Sequence, residues 1–445
     1  MALIAITPAV PVQGRIPVGV VAREVVTSVV HSRQVTLPIT ATHVALHWRG
    51  APKASVSVSF STEGSTFDVP VAVEAERAAK NAADHAFGSV LWTSGAKFLR
   101  VTSDIPIAHL SVVAINARSA DRTLEKANDN VASAAVDQPV VSTRSSWGAN
   151  ESLRFDSSGN QLWPPEFYPI QKLIVHHTAG KNNDPDPAAT VRAIYYYDAV
   201  TKGWGDMGYN LLIDEAGRIY EGRYSRPYAE GESPTGEDLT GNGVTGAHVQ
   251  GYNSGTVGIT LLGTLTNQDA TPAARAALEK LLAWKAERHG IDPVATSLYT
   301  NPVSGAQKTS ANISGHRDWA ATECPGGVFY SSFPSLRQSV ATRISGTPPT
   351  QTVAGAPVLT AASPNTGKGV KLNWTVPANG GSAITGYEVF RLNSGSFVRI
   401  ATTGSSAVSY RDISTKRGRV YTYVVRATNS IGPGPNSNQA SATAR

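Results

Sequence analysis

Helices are expected in only one stretch of this 445-residue chain, and that constrains its fold more than any other feature. Asp186-Pro187 and Thr271-Pro272 each put a capping side chain directly before a proline. The Asp or Thr oxygen can accept an orphan backbone N–H. Proline at the first helical position already has the right φ, and the donor it lacks would be unpaired there anyway. The first signal predicts a helix to about Ala199. The second opens the longest predicted helix, which stops near Gly290, a residue suited to a left-handed C-terminal cap. Ala274, Leu278, Leu281, Leu282 and Trp284 give that helix a core face. A short helix is expected from Pro334 to about Ile344. Strands are expected at Lys172–Val175, Tyr209–Asp214, Arg218–Glu221 and Thr256–Leu262. Strands alternating with helices predict an α/β domain over 143–345, a mixed sheet flanked by helices.

On either side the pattern is β only. Residues 1–116 contain short β-branched or apolar runs at Gln34–Leu37, Val44–His47, Ser55–Phe60, Phe98–Val101 and Leu110–Ala114, separated by turn residues, which predicts an all-β sandwich. No chemical motif is visible in it. Residues 117–142 are charged, aperiodic and rich in Ala, Asn and Asp, and read as a linker. Residues 346–355 form a second, Pro/Thr/Gly linker. Beyond it, 356–445 again alternate as strands, at Val370–Trp374, Gly386–Leu392 and Val420–Thr428. The chain is thus expected to be multidomain.

Charge separates these parts. The chain carries +6. From Gly355 onward Lys and Arg outnumber the only two acids, Glu388 and Asp412, so the C-terminal module is strongly basic and the rest slightly acidic. A basic module can attract a polyanion such as an anionic wall polymer, or simply stay soluble. Nothing suits it to nucleic acid: no Lys/Arg stripe is interleaved with aromatics. No apolar run is long enough for a transmembrane helix. Met1 to Gly14 is apolar without a basic leader, so it does not qualify as a secretory signal. Export would need another route or a different natural start.

The one cysteine, Cys324, excludes an intramolecular disulfide. A lone thiol outside the cytoplasm needs protection, by metal ligation or by burial as a small hydrophobe. His176 closes the strand KLIVH, and His316 and Cys324 stand eight apart in GHRDWAATECPG. Zinc takes imidazole nitrogen and thiolate sulfur, and a catalytic zinc keeps three protein ligands and one open position. By spacing alone the three could equally be satisfied polar or core residues, since the chain has ten histidines.

Six ordered blocks go further: RSSWGA (144–149), IVHHTAG (174–180), GWGDMGYNLLID (203–214), GRIYEGR (217–223), GAHVQGYNSGTVGITLLG (246–263) and GHRDWAATECPG (315–326). Together they resemble the peptidoglycan recognition protein and type-2 N-acetylmuramoyl-L-alanine amidase family, over about 142–345. The resemblance implies zinc held by His176, His316 and Cys324. It implies that Tyr209 assists the water and the developing oxyanion, and that Thr322 borders the metal as a second catalytic residue. It also places His248, Asn253, Arg223 and His177 beside the substrate. Each has a plainer reading. His177 follows a ligand on a strand and points to the opposite face, His248 and Asn253 can be loop residues, and Arg223 can be a structural partner. Trp147 and Trp204 read as packing residues, and His289 as a partner of the helix C-terminus. Members that only bind peptidoglycan have usually lost the cysteine, which this chain keeps.

The stretch 356–444 resembles a fibronectin type III domain. Trp374 in KLNW takes the place of its core tryptophan, and Tyr421 in YTYVVRATNSIG that of its corner tyrosine. The expectation is therefore a secreted or cell-wall-associated bacterial zinc amidase acting on peptidoglycan. The alternative is a recognition protein that holds peptidoglycan without cutting it. A third class, a lysin or adhesin dominated by its β-modules, finds no feature of its own in the sequence.

Overall fold

The computed structural model describes residues 19–77, 84–118, 136–229, 231–346, 352–364, 366–380, 382 and 384–445. The chain divides into two compact units, one ending at Gly346 and one beginning at Thr347.

The first unit opens with eight strands: β1 Val21–Val29, β2 Ser32–Arg49, β3 Val56–Ser61, β4 Val71–Val73, β5 Ala75–Arg77, β6 His85–Gly88, β7 Leu91–Ser103 and β8 Ile107–Asn116. They are hydrogen-bonded in the order β1-β8-β2-β7-β3-β4, with β6 pairing β2 and β5 pairing β6. All pairs are antiparallel. The described residues of this module form strands only, and where a two-sheet sandwich was expected they join one hydrogen-bonded network. The two runs expected at Gln34–Leu37 and Val44–His47 are one long strand, β2. Pro38, which has no N–H to donate, falls where the β2–β7 register shifts between Thr36 and Ala41. The strand bends there instead of ending. Trp48, Val58, Leu99, Val101, Leu110 and Val112 form the core of this module.

A mixed six-stranded sheet follows, in the order Ile313–Gly315, Lys172–His177, Thr256–Leu261, Leu211–Ile213, Ile219–Glu221 and Val141–Ser142. Lys172–His177 runs parallel to both of its neighbours. Alternation divides the buried side chains between two faces. Leu211, Ile213, Ile219 and Ile259 pack with Leu278, Leu281 and Leu282 of helix Pro272–Arg288 and with Leu336 and Val340 of helix Phe333–Ser345. Leu212 and Tyr220 pack the other way, with Val191, Ile194 and Tyr195 of helix Pro187–Tyr196. Both proline-led helices start where their caps predict. The Asp186 carboxylate accepts from Ala189 N at 3.1 Å and the Thr271 hydroxyl from Ala274 N at 3.1 Å.

Two expected boundaries shift. Of the linker expected at 117–142, residues 119–135 lie outside the described residues. Val136 N already donates to Glu287 at 3.0 Å, and Val141–Ser142 is the edge strand of the sheet. Two residues carry no readable alternation, so sequence pattern could not find that strand. The N-terminal module is also not a separate bead. Ala45, Val90, Val113, Ile115 and Ala117 share a hydrophobic core with Ala188, Val191, Ile194 and Tyr197. Polar contacts seal the seam: Tyr197 OH donates to Leu46 O at 2.8 Å, Arg192 Nε to Ala117 O at 3.0 Å and Trp92 Nε1 to Lys181 O at 2.9 Å.

The second unit holds a three-stranded sheet, Leu359–Ala362, Val370–Trp374 and Ser409–Asp412, and a five-stranded one built on Ile384–Asn393 and Val420–Asn429. Trp374, Tyr387, Val389 and Tyr423 lie in its core. Tyr421 OH accepts Lys416 N at 2.9 Å, the corner bond expected of it.

Candidate metal centre and active site

His176 and His316 stand at the C-terminal ends of two neighbouring parallel strands, where Val175 pairs with Gly315. Gly315 has to be a glycine: a Cβ there would meet Pro325 and Tyr330. Asp318 Oδ2 accepts Gly315 N at 2.8 Å and fixes the turn that carries His316. Cys324 comes from the following loop, tied back by Arg317 N to Cys324 O at 2.9 Å. The His177 amide donates to Cys324 Sγ at 3.4 Å. The ligand atoms of His176, His316 and Cys324 all lie within 4.8 Å of one another, and all three residues are buried. Cys324 Sγ is 3.7 Å from His176 Nδ1. Bonds of about 2.0 Å to nitrogen and 2.3 Å to sulfur around a tetrahedral ion give donor separations of about 3.5 Å.

The chemistry of the donors fits a cation. Burial, reinforced by His316 and His248, holds the His176 imidazole well below its usual pKa, and burial also lowers His316. Both are therefore neutral, the form that ligates. Burial pushes the Cys324 thiol well up, so a positive ion at the site is what would keep it as thiolate. His316 Nδ1 is buried and has no hydrogen-bond partner. An orphaned buried ring nitrogen is costly unless something outside the protein uses it.

A relay behind His176 sets its tautomer. Thr256 Oγ1 donates to Tyr252 O at 2.8 Å, so it accepts from His248 Nε2 at 3.3 Å. His248 Nδ1 then accepts from His176 Nε2 at 3.1 Å, leaving the His176 Nδ1 lone pair for the metal. Burial, followed by the His316 charge, drives His248 down to about 3, so it remains neutral and able to accept.

Of the three donors, Cys324 lines an adjoining pocket, together with Tyr209, Thr322, His177 and Lys202 and, from the N-terminal module, Glu74, Glu76 and Phe87. The Tyr209 ring packs edge-on to His176, with centroids 5.5 Å apart. Burial, then the charge of Glu76, raises its hydroxyl well above the usual phenol range. Thr322 Oγ1 accepts Cys324 N at 3.2 Å.

The four residues expected beside a substrate are all engaged internally. His248 belongs to the relay. Arg223 is fully buried, paired with Asp206 at 2.7 Å and donating to Trp163 O and Pro164 O. It has nothing left to offer a ligand, so its placement is the structural one. Asn253 Oδ1 accepts His248 N and Val249 N at 2.9 and 2.7 Å and shapes the relay loop. His177 lies on the face opposite His176, accepting Leu265 N at Nδ1 (3.1 Å) and bonding Glu74 Oε2 at Nε2 (3.0 Å). Trp147 is buried packing, and His289 bonds Glu237 at 2.9 Å. The sequence reading missed Thr256, Glu74 and Glu76. Glu74 and Glu76 alternate onto one side of their segment, but nothing in the sequence says what that side meets.

The N-acetylmuramoyl-L-alanine amidase family profile (Amidase_2) matches residues 166–327, and the fibronectin type III profile residues 355–443. Peptidoglycan-recognition protein SC2 of Drosophila melanogaster is 30% identical over 190 residues, spanning 42% of this chain and 80% of that protein. Human N-acetylmuramoyl-L-alanine amidase is 26% identical over 230 residues, spanning 50% of this chain and 32% of that protein. Among solved structures, Drosophila PGRP-LB is 28% identical, covering 44% of this chain and 92% of that one, with a TM-score of 0.31. On the ordered motifs, the two family profiles and the match to peptidoglycan-recognition protein SC2, the chain belongs to the peptidoglycan-recognition protein and N-acetylmuramoyl-L-alanine amidase family and carries a fibronectin type III domain behind its amidase-type domain.

Proposed function

We propose that this protein is a zinc-dependent N-acetylmuramoyl-L-alanine amidase, which hydrolyses the amide between N-acetylmuramic acid and L-alanine in bacterial peptidoglycan. The observation that carries the reading is the convergence of His176, His316 and Cys324, with Cys324 lining a pocket that Tyr209 also lines. A binding-only protein has no use for two neutral imidazoles and a thiol aimed at one point. Zinc, when bound by the three, supplies Lewis acidity that polarises the scissile carbonyl and makes water nucleophilic near neutral pH.

The chain's own residues do the rest. The His248–Thr256 relay holds His176 in its ligating tautomer. Tyr209 keeps its proton at neutral pH because burial raises its pKa, so it donates a hydrogen bond to the carbonyl oxygen as charge builds there. Thr322 Oγ1 accepts a hydrogen bond from the Cys324 amide N–H, which leaves its own proton free to orient the water or meet the departing amine. We place this activity outside the cytoplasm, at the wall. Among the described residues no helix is long and apolar enough to cross a membrane. The basic C-terminal module suits anionic wall polymers.

The test is mass spectrometry of purified peptidoglycan incubated with zinc-loaded protein, beside a Cys324→Ser variant. Free stem peptides beginning at L-alanine, from the wild type alone, are expected. Intact wall that nevertheless retains the protein would leave the recognition reading in place.

A further inference from the structure

The N-terminal module reaches the pocket beside the three donors through two segments, Glu74–Glu76 and Phe87–Val90. β4 ends at Val73, β5 begins at Ala75, and the side chains of Glu74 and Glu76 both line the pocket. β5 is pinned by its register on β6, with Ala75 opposite Gly88 and Glu76 opposite Phe87. Gly88 cannot be larger, since a Cβ there would run into Val73 and come within 3.1 Å of Leu46 O. Glu74 is an anchor. Its Oε2 holds His177 Nε2 at 3.0 Å and its Oε1 accepts the Thr266 hydroxyl at 3.3 Å. His177 carries the amide that bonds the Cys324 sulfur, so the module is tied to the metal loop by one continuous chain of contacts. Glu76 is left unanchored, its side chain 55% exposed, with Oε1 4.0 Å from the orphaned His316 Nδ1.

We infer that the N-terminal module is part of the catalytic site, and that it presents Glu76 to the open side of the three-donor set, where the carboxylate faces whatever completes the metal's coordination. This rests on the zinc reading above and adds a residue from a module outside the family match. A carboxylate there discriminates by charge. It favours a neutral or hydrogen-bond-donating ligand, such as water or the substrate amide, and disfavours an anion. Amide hydrolysis leaves a carboxylate on the muramyl side, so Glu76 promotes release of that product.

The experiment uses the full chain loaded with cobalt(II), whose visible bands report the coordination position directly. Azide is the probe anion, titrated into the wild type, Glu76→Gln, Glu76→Asp and Glu63→Gln. The last removes the same charge from an exposed residue of the same module. Removing one charge a few ångströms from a bound anion, with partial solvent screening, is expected to tighten azide by about tenfold. Glu76→Asp, which keeps the charge on a shorter arm, should fall between wild type and Glu76→Gln, and Glu63→Gln should match the wild type. A normal cobalt spectrum with unchanged azide affinity in Glu76→Gln, or equal tightening in Glu63→Gln, overturns this inference alone. Absence of any cobalt spectrum in the wild type overturns the metal reading and this inference together.

Discussion

Replacing His248 by phenylalanine tests the relay behind the metal centre. The ring volume is kept while both ring nitrogens are lost. His176 Nε2, on a residue with no solvent exposure, then loses its 3.1 Å acceptor and cannot find water. A buried donor without a partner costs about 1–3 kcal/mol. In the free protein His176 escapes that cost by moving its proton to Nδ1, the atom the metal needs, so the penalty falls on metal binding. Loss of such an outer partner weakens metal affinity about 10–100-fold, or about 1.4–2.7 kcal/mol. Gly258→Ala reaches the same end by steric means, because a Cβ there would come closer than 3.0 Å to the His248 ring and push it off His176. The assay is competition for zinc against a chromogenic chelator, with circular dichroism to confirm folding. Zinc affinity within twofold of wild type in a folded His248→Phe protein would refute the relay.

Three further outcomes follow from other parts of the structure. Burial acts to raise the Glu237 carboxyl, but His289, Lys285 and Arg288 outweigh it and hold the group down to about 2. A depressed carboxyl contributes stability above its unfolded pKa of about 4.5 that is lost as pH falls towards 2, on the order of 3 kcal/mol. The gap in urea stability between wild type and Glu237→Gln should therefore be full at pH 7, shrink below about pH 4.5 and close only near pH 2. Gly326→Ala should remove zinc binding and cost over about 2 kcal/mol by thermal melting, because Gly326 has φ +99 and a Cβ there would enter the backbone of Leu265 and Thr266. Tyr421→Phe should lower the stability of the second unit by about 1 kcal/mol through loss of the bond from Lys416 N, without changing zinc affinity.

The amidase-type domain was legible because its signals are local. Asp186-Pro187 and Thr271-Pro272 mark helix starts by backbone chemistry alone. His176, His316 and Cys324 were readable through ordered motifs, though not through spacing, since the two strands that bring His176 to His316 lie far apart in sequence. Helix ends were less legible. The helix expected to run to Ala199 gives way after Tyr196 to a wider turn, Tyr197–Thr201, whose Tyr197 is committed to the N-terminal module. Arg223 illustrates why motif membership does not assign a role: it sits in a family block, yet its guanidinium is engaged by Asp206 and three carbonyls, those of Trp163, Pro164 and Thr245. Glu74 and Glu76 were invisible because their meaning is tertiary. They lie about a hundred residues before His177 and meet it only after both sheets have formed.

Hydrolysis of a defined muramyl peptide in ¹⁸O-water tests the central claim most directly, because it identifies both the bond cut and the origin of the new oxygen. The account predicts one ¹⁸O in the lactyl carboxylate of the released N-acetylmuramic acid and none in the stem peptide, and no cleavage by Cys324→Ser. Label in a carboxylate of the stem peptide, or a substrate left intact by the zinc-loaded wild type, would contradict it.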